Sequence, residues 1–117
     1  MGKKILLVDD EEGIHLLYSE ELMDEGYTVV SAYNGSEALR MFAADPPDLV
    51  ILDINMPDIN GIEVLRLMKE QRPELPVILS SAYQEYKEDF GSWASEAYVV
   101  KSANLDELKD EVRKHLG

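Results

Sequence analysis

The stretch Lys4-Ile5-Leu6-Leu7-Val8-Asp9-Asp10 places two carboxylates directly after a run of apolar residues. A second apolar run, Leu49–Leu52, ends in the same way at Asp53. Short runs that are rich in Val, Ile and Leu are typical of fully buried strands in a parallel sheet. Ligands of an open parallel sheet bind outside the carboxyl ends of its strands. If the two strands are neighbours, we expect the three carboxylates to converge at one edge of the sheet.

Three converging carboxylates need a compensating positive charge, because like charges raise one another's pKa or require a cation. A hard divalent ion with oxygen ligands supplies such a charge. The sequence therefore predicts a metal site and acid chemistry at Asp9, Asp10 and Asp53.

Length and composition restrict the class of protein. The 117 residues fit a single domain, residues 1–117, and 45% of them are hydrophobic, which is enough for an ordinary core. The chain has no cysteine, no signal segment and no apolar run that approaches about 18 residues, so we expect a cytoplasmic protein without a membrane anchor. A net charge of −13 argues against direct binding of nucleic acid.

Strand and helix patterns alternate along the whole chain. Five strands are predicted at about Lys4–Val8, Tyr27–Ala32, Asp48–Leu52, Val77–Ser80 and Ala97–Lys101. Five helices are predicted at about Glu11–Glu25, Ser36–Ala44, Ile62–Gln71, Tyr83–Ser95 and Leu105–Leu116. Helix-end signals are Gly26 after the first helix, Ser36 as the cap of the second, and Asn104 with Glu107 as a capping box of the last.

This alternation predicts an α/β fold with a five-stranded parallel sheet and helices on both faces. Right-handed crossovers favour the strand order 2-1-3-4-5 of flavodoxin-like three-layer sandwiches. In that order Ser81, which follows strand four, and Lys101, which ends strand five, lie near the edge that carries Asp53. A lysine there can act as a point charge on a phosphate, and a strand-end aspartate can form an aspartyl phosphate. Acids for a metal, a carboxylate nucleophile, a hydroxyl and a cation are the groups that phosphoryl transfer needs.

With these residues in place, the chain resembles the receiver domains of response regulators in two-component signalling. The resemblance covers essentially all 117 residues. The matching segments are Leu7–Glu11, Asp48–Asp53, Met56-Pro57 with Gly61, Ser80–Ala82 and Tyr98–Lys101.

The resemblance implies a role for each acid at the sheet edge. Asp53 is the implied phosphoacceptor. Asp9 and Asp10 hold Mg²⁺ directly or through water, and the backbone carbonyl of Asn55 completes the protein's share of the coordination.

The resemblance also implies how the phosphoryl group is sensed. Ser81 takes the hydroxyl position that contacts the phosphoryl group, and Lys101 pairs with that group. Tyr98 takes the switch position, whose aromatic side chain is expected to change exposure on activation. The implied partners are a histidine kinase or a histidine phosphotransfer protein, and the implied activity is that of a signalling switch rather than a turnover enzyme.

The stretch before strand five is rich in aromatic residues, and these favour either core packing or a binding face. We expect a downstream protein partner to bind the Tyr83–Tyr98 stretch together with the face of the C-terminal helix. Two departures from the family fall near this stretch. Ser102 stands where receivers usually have a proline, which leaves the Lys101–Ser102 peptide open between cis and trans, and the segment between Ser81 and Lys101 is short by about half a helical turn.

The sequence is also compatible with two other functions. A haloacid-dehalogenase-type phosphatase also uses a strand-end aspartate with Mg²⁺, but it needs a second acid two residues after the nucleophile, where this chain has Asn55. A degenerate receiver would bind partners without phosphorylation, although the acid set is complete. His15 and His115 are expected to be surface residues without a phosphorelay role.

Overall fold

The computed structural model describes residues 2–82, 97–101 and 105–117. Its strands are β1 (Lys4–Val8), β2 (Thr28–Ala32), β3 (Leu49–Asp53), β4 (Val77–Ser81) and β5 (Ala97–Val100). The helices in these residues are α1 (Glu12–Asp24), α2 (Gly35–Ala44), α3 (Gly61–Gln71) and α4 (Asp106–Leu116). The helix predicted over Tyr83–Ser95, the Asn104 cap and the Lys101–Ser102 peptide lie outside the described residues. No helix of the described ranges is long and apolar enough to cross a membrane.

The sheet confirms the predicted topology. All five strands are parallel, and their order is β2-β1-β3-β4-β5. The central strands β1 and β3 are neighbours, with Val8 opposite Leu52. Asp53 then lies opposite Ser80 of β4, and Ser81 lies opposite Val100 of β5. The residues that follow these strands therefore meet at the carboxyl edge of the sheet.

Alternating side chains of the strands build one core on each face of the sheet. Leu6 and Val8 of β1 pack into the core that includes Phe42 of α2 and Met68 of α3. The residues between and before them, Ile5 and Leu7, pack into the opposite core, which contains the helices α1 and α4. The buried residues that these helices contribute are Tyr18, Leu22, Leu108 and Val112. Helices thus cover both faces, as the sequence predicts.

The structure confirms one of the predicted helix-end residues and contradicts another. Gly26 follows α1 with a φ of +98°, a left-handed conformation that favours glycine, so its predicted role at the helix end is confirmed. The prediction that Ser36 caps α2 is wrong. Asn34 is the cap, and its side chain accepts a hydrogen bond of 2.8 Å from the amide of Glu37. Ser36 lies in the first turn, where its amide donates to Asp58.

Gly61 is required by a close approach at the start of α3. A Cβ atom on Gly61 would lie 2.1 Å from the carbonyl oxygen of Asp53 and 2.7 Å from Cα of Ile54, and both are backbone atoms. We therefore expect Gly61→Ala to lower the free energy of unfolding by about 1–3 kcal/mol, because the loop after β3 must shift. Gly13→Ala is the control: a Cβ there meets nothing within 4 Å, so we expect a gain of roughly 0.5–1 kcal/mol in helix α1. Urea denaturation measures both, and equal stabilities would contradict the close approach.

Candidate functional site

The three predicted acids converge at the carboxyl edge of the sheet. Asp9 follows β1 and Asp53 ends the neighbouring strand β3. One carboxylate oxygen each from Asp9, Asp10 and Asp53 lies within 4.8 Å of the others. Asp9 and Asp53 are buried, whereas Asp10 is exposed to solvent. The arrangement joins two enclosed carboxylates to one that is open to an arriving ion.

Lys101 reaches this acid cluster from the end of β5. Its Nζ lies 2.7 Å from Oδ2 of Asp9 and 3.4 Å from Oδ1 of Asp53. The backbone amide of Lys101 donates to the carbonyl oxygen of Ser81 at 2.7 Å, which fixes the start of the side chain. Burial opposes the charge of the ammonium group, but the hydrogen bond to Asp9 and the charge of Asp53 outweigh it and raise the pKa of Lys101. Lys101 is therefore a cation within the acid cluster at neutral pH.

Burial is the main influence on the ionisation of Asp53. It raises the pKa of Asp53 from its ordinary value of 3.8 to about 6, with further increases from the charges of Asp9 and Asp10 and an opposing effect of Lys101. Above this pKa the group is a carboxylate, which is the form that can act as a nucleophile or bind a cation. Burial therefore makes the charged form of Asp53 costly.

This cost predicts a pH-dependent gain in stability for Asp53→Asn in the absence of divalent ions. Between pH 3.8 and about 6 the native state binds more protons at Asp53 than the unfolded state, so the wild-type chain loses stability as the pH rises through that window. Asparagine does not titrate. At about 1.4 kcal/mol per pKa unit, we expect the variant to be more stable by about 3 kcal/mol near pH 8 and by nearly nothing below about pH 4.

Urea denaturation of both proteins across this pH range measures the difference. Asp24→Asn, at an exposed acid of α1, is the matched control and should show no comparable change. A stability difference for Asp53→Asn that does not vary with pH would contradict the raised pKa.

Asp10, Asp53 and Lys101 form part of the wall of a cavity of about 240 Å³. The residues that line it are Asp10, Glu11, Asp53, Asn55, Ala82 and Lys101. The clustered carboxylates of Asp9, Asp10 and Asp53 and the ammonium group of Lys101 have a formal charge of −2, which one divalent ion balances. Hard divalent ions take carboxylate and carbonyl oxygens as ligands, and Asp9, Asp10 and Asp53 would offer three carboxylate oxygens from one cluster. The donor set therefore fits Mg²⁺.

Ser81 and Tyr98 lie on the other side of the sheet edge. Ser81 is fully buried at the end of β4, one residue beyond the partner of Asp53, so strand alternation directs it toward the α2 and α3 face. Tyr98 is buried in the core of that same face. Neither belongs to the cavity lining in the described part of the chain. The structure thus brings four predicted residues to the cavity lining (Asp10, Asp53, Asn55 and Lys101). Asp9 joins them through the acid cluster and its contact with Lys101, and Ser81 and Tyr98 lie outside the lining.

The expectation of a surface position for His15 is wrong. Its side chain is buried, with Nε2 2.7 Å from the carbonyl oxygen of Asp9 and Nδ1 2.9 Å from Oγ of Ser31. The sequence gives no sign of this contact, because one partner is a backbone carbonyl and the other is a strand serine. His115 is partly exposed on α4, with its ring 4.0 Å from a carboxylate oxygen of Glu111. Glu11, 3.6 Å from Nζ of Lys101, is a further cavity residue that sequence reasoning did not single out.

Comparison with known proteins finds a family that this chain matches. The family model described as "Response regulator receiver domain" matches residues 5–113. The chain is 37% identical to Sporulation initiation phosphotransferase F of Bacillus subtilis over 118 aligned residues, which cover 99% of this chain and 95% of that protein.

Solved structures give the same result. The crystal structure of response regulator protein TrrA from Thermotoga maritima in complex with Mg²⁺-BeF superposes with a TM-score of 0.93 at 50% identity, and the match covers 97% of this chain and 99% of the other. The structure of histidine kinase ThkA in complex with TrrA superposes on the TrrA chain with a TM-score of 0.91, also at 50% identity, over 98% of this chain and 99% of the other.

Proposed function

The chain belongs to the response-regulator receiver domain family, and on that premise we propose that it accepts a phosphoryl group on Asp53 in a Mg²⁺-dependent reaction. The observation that carries the proposal is the convergence of three carboxylates and Lys101 at one edge of the sheet. The proposed domain spans residues 1–117, and the cytoplasm is its proposed location.

The proposed chemistry is a displacement at phosphorus by the carboxylate of Asp53. An oxygen of Asp53 forms the new bond to phosphorus while the bond from phosphorus to the donor's leaving atom breaks. Ionisation with a pKa of about 6 leaves most of Asp53 in the nucleophilic form at neutral pH. The product is an aspartyl phosphate that remains on the protein, so the chain acts as a switch and not as a turnover enzyme.

The other residues of the cavity are proposed to bind and neutralise the transferred group. Asp9, Asp10, Asp53 and the backbone carbonyl of Asn55 would hold Mg²⁺, which when bound supplies positive charge to the phosphoryl oxygens. Lys101 already lies 3.4 Å from Asp53 and would pair with the group that Asp53 receives. A cation fixed at this distance stabilises charge where it develops and needs little reorganisation.

Signal readout is proposed to run through Ser81 and Tyr98. Both are buried on the α2 and α3 side, close in the register of β4 and β5 to the acceptor strand. A phosphoryl group that draws the Ser81 hydroxyl toward Asp53 would open space into which the ring of Tyr98 moves. The group can shift this equilibrium only by its differential affinity for the two states.

The proposed phosphodonor is a histidine kinase or a histidine phosphotransfer protein. The TrrA structure with histidine kinase ThkA supports this, since TrrA is 50% identical to this chain. The face of α4 with the Tyr83–Tyr98 stretch remains the proposed surface for a downstream protein, although most of that stretch lies outside the described residues.

Intact-mass measurement tests the proposal. The chain is incubated with a small phosphodonor such as acetyl phosphate, with Mg²⁺ or with a chelator, and Asp53→Asn is treated in parallel. We expect the mass to rise by one phosphoryl group in the wild-type chain with Mg²⁺, and in neither control. No mass change in the wild-type chain would reject phosphoryl acceptance and favour a degenerate receiver. Turnover of phosphate monoesters would instead revive the phosphatase alternative, against which Asn55 at the second-acid position argues.

A further inference from the structure

Every polar atom of Asp9 takes part in a hydrogen bond or an ion pair. Its amide donates to the carbonyl oxygen of Ala32 at 3.1 Å, and its Oδ1 accepts from the amide of Glu11 at 2.9 Å. Its Oδ2 lies 2.7 Å from Nζ of Lys101. The remaining atom, the backbone carbonyl oxygen, lies 2.7 Å from Nε2 of His15. The last contact joins a helix side chain to the loop that carries both acids.

The direction of the His15 hydrogen bond follows from its partner. A carbonyl oxygen can only accept, so Nε2 of His15 carries the hydrogen and donates it. The other ring nitrogen is 2.9 Å from Oγ of Ser31, which lies on β2 opposite Leu7 of β1. The ring also packs against Tyr33, with centroids 4.2 Å apart. With 3% of its surface exposed, the side chain of His15 on α1 is fixed against β2.

The carbonyl that His15 binds belongs to the peptide plane between Asp9 and Asp10. Because that peptide is planar, holding its oxygen restricts ψ of Asp9 and φ of Asp10 together. The side chain of Asp10 is exposed, so its position relative to Asp9 depends on this backbone restraint. Groups that orient the ligands of a metal change its affinity substantially although they do not touch the ion.

We propose that His15 is a positioning residue of the metal site, which acts through the Asp9 carbonyl to hold the Asp9-Asp10 pair in the arrangement that receives Mg²⁺. The inference rests on the proposed function, because it assigns His15 a part in the same site. The acids and the lysine of the site are thereby joined by His15 of α1, whose other ring nitrogen contacts Ser31.

The test is a Mg²⁺ titration without phosphodonor, followed by the backbone amide NMR signals, which also report the fold. His15→Leu removes the donor and keeps an apolar volume, and we expect its Mg²⁺ affinity to fall by about tenfold. His15→Gln retains an amide donor of similar reach and should restore most of the affinity. His15→Asn is too short to reach Asp9 and should behave like His15→Leu, which covers the case in which the leucine variant does not fold.

Leu22→Ala separates positioning from general destabilisation. Leu22 is fully buried on the same helix, about 10 Å farther along its axis, and belongs to the core rather than to the acid cluster. We expect this variant to lose stability and keep its Mg²⁺ affinity. The inference is overturned if His15→Leu and His15→Asn bind Mg²⁺ as the wild type does, or if Leu22→Ala weakens binding equally. A wild-type chain that binds no Mg²⁺ would reject the proposed function, and the inference with it.

Discussion

Replacing Lys101 by methionine is expected to slow phosphoryl acceptance by about 100-fold at saturating Mg²⁺. The ammonium group lies 3.4 Å from Asp53, in an enclosed site where a fixed charge is worth more than in water. Loss of one such group that stabilises developing charge costs a factor of about 100 to 1,000. Methionine keeps the length of the side chain, so the change removes mainly the charge.

Mg²⁺ affinity should not fall in the same variant. Lys101 contacts two of the proposed ligands, Asp9 and Asp53, and competes for their charge. Its removal is therefore expected to leave Mg²⁺ binding unchanged or tighter, so that the rate of phosphoryl acceptance falls while the affinity for Mg²⁺ does not. A time course of intact mass gives the rate, and amide NMR gives the affinity.

Lys109→Met is the matched control for this prediction. Its ammonium group also contacts a carboxylate, at 2.5 Å from Oε1 of Glu21, but the pair joins α4 to α1 away from the cavity. We expect no change in the rate of phosphoryl acceptance. If Lys101→Met reacts as fast as Lys109→Met, the charge of Lys101 has no role in the transfer.

Asp10→Asn is expected to weaken Mg²⁺ binding by at least about tenfold without destabilising the chain. Affinity for a hard cation depends on the number of charged oxygen ligands, and this change removes one of three. Asp10 is exposed, so its replacement leaves no buried group without a partner. Loss of one like charge beside Asp9 and Asp53 should keep stability equal or raise it slightly.

The control is again Asp24→Asn, which removes the same charge at the far end of α1. Screening over about 10 Å at ordinary ionic strength makes a long-range effect on Mg²⁺ small. Titration of the three proteins measures the difference. Equal affinities for Asp10→Asn and the wild type would show that Asp10 is not a ligand.

The sheet and its acid edge were predictable because their signals are local. The run Lys4–Val8 reads as a buried strand, and its end marks the place of Asp9 and Asp10. The run that begins at Leu49 ends in the same way at Asp53, and the strand order brings Lys101 to the same edge. Parallel strands that are buried on both faces can be ordered in only a few ways, so the short apolar runs predict much of the fold.

The contacts that the sequence does not predict involve backbone partners or a competition between neighbouring polar residues. His15 binds a carbonyl oxygen, which every residue has, so no residue type marks the contact. Asn34 and Ser36 are both good helix caps, and the choice between them follows from Asp58, which takes the Ser36 amide from a loop 22 residues away. Pairings of this kind appear only once the strands are in register.

The most direct test of the central claim is to locate the phosphoryl group after reaction with a small phosphodonor and Mg²⁺. Borohydride reduction converts an aspartyl phosphate to homoserine, which peptide sequencing by mass spectrometry identifies. We expect homoserine at position 53, where the buried carboxylate lies beside Lys101, and unmodified aspartate at positions 9 and 10. Homoserine at Asp9 or Asp10, or phosphorylated protein with Asp53 intact, would contradict the central claim.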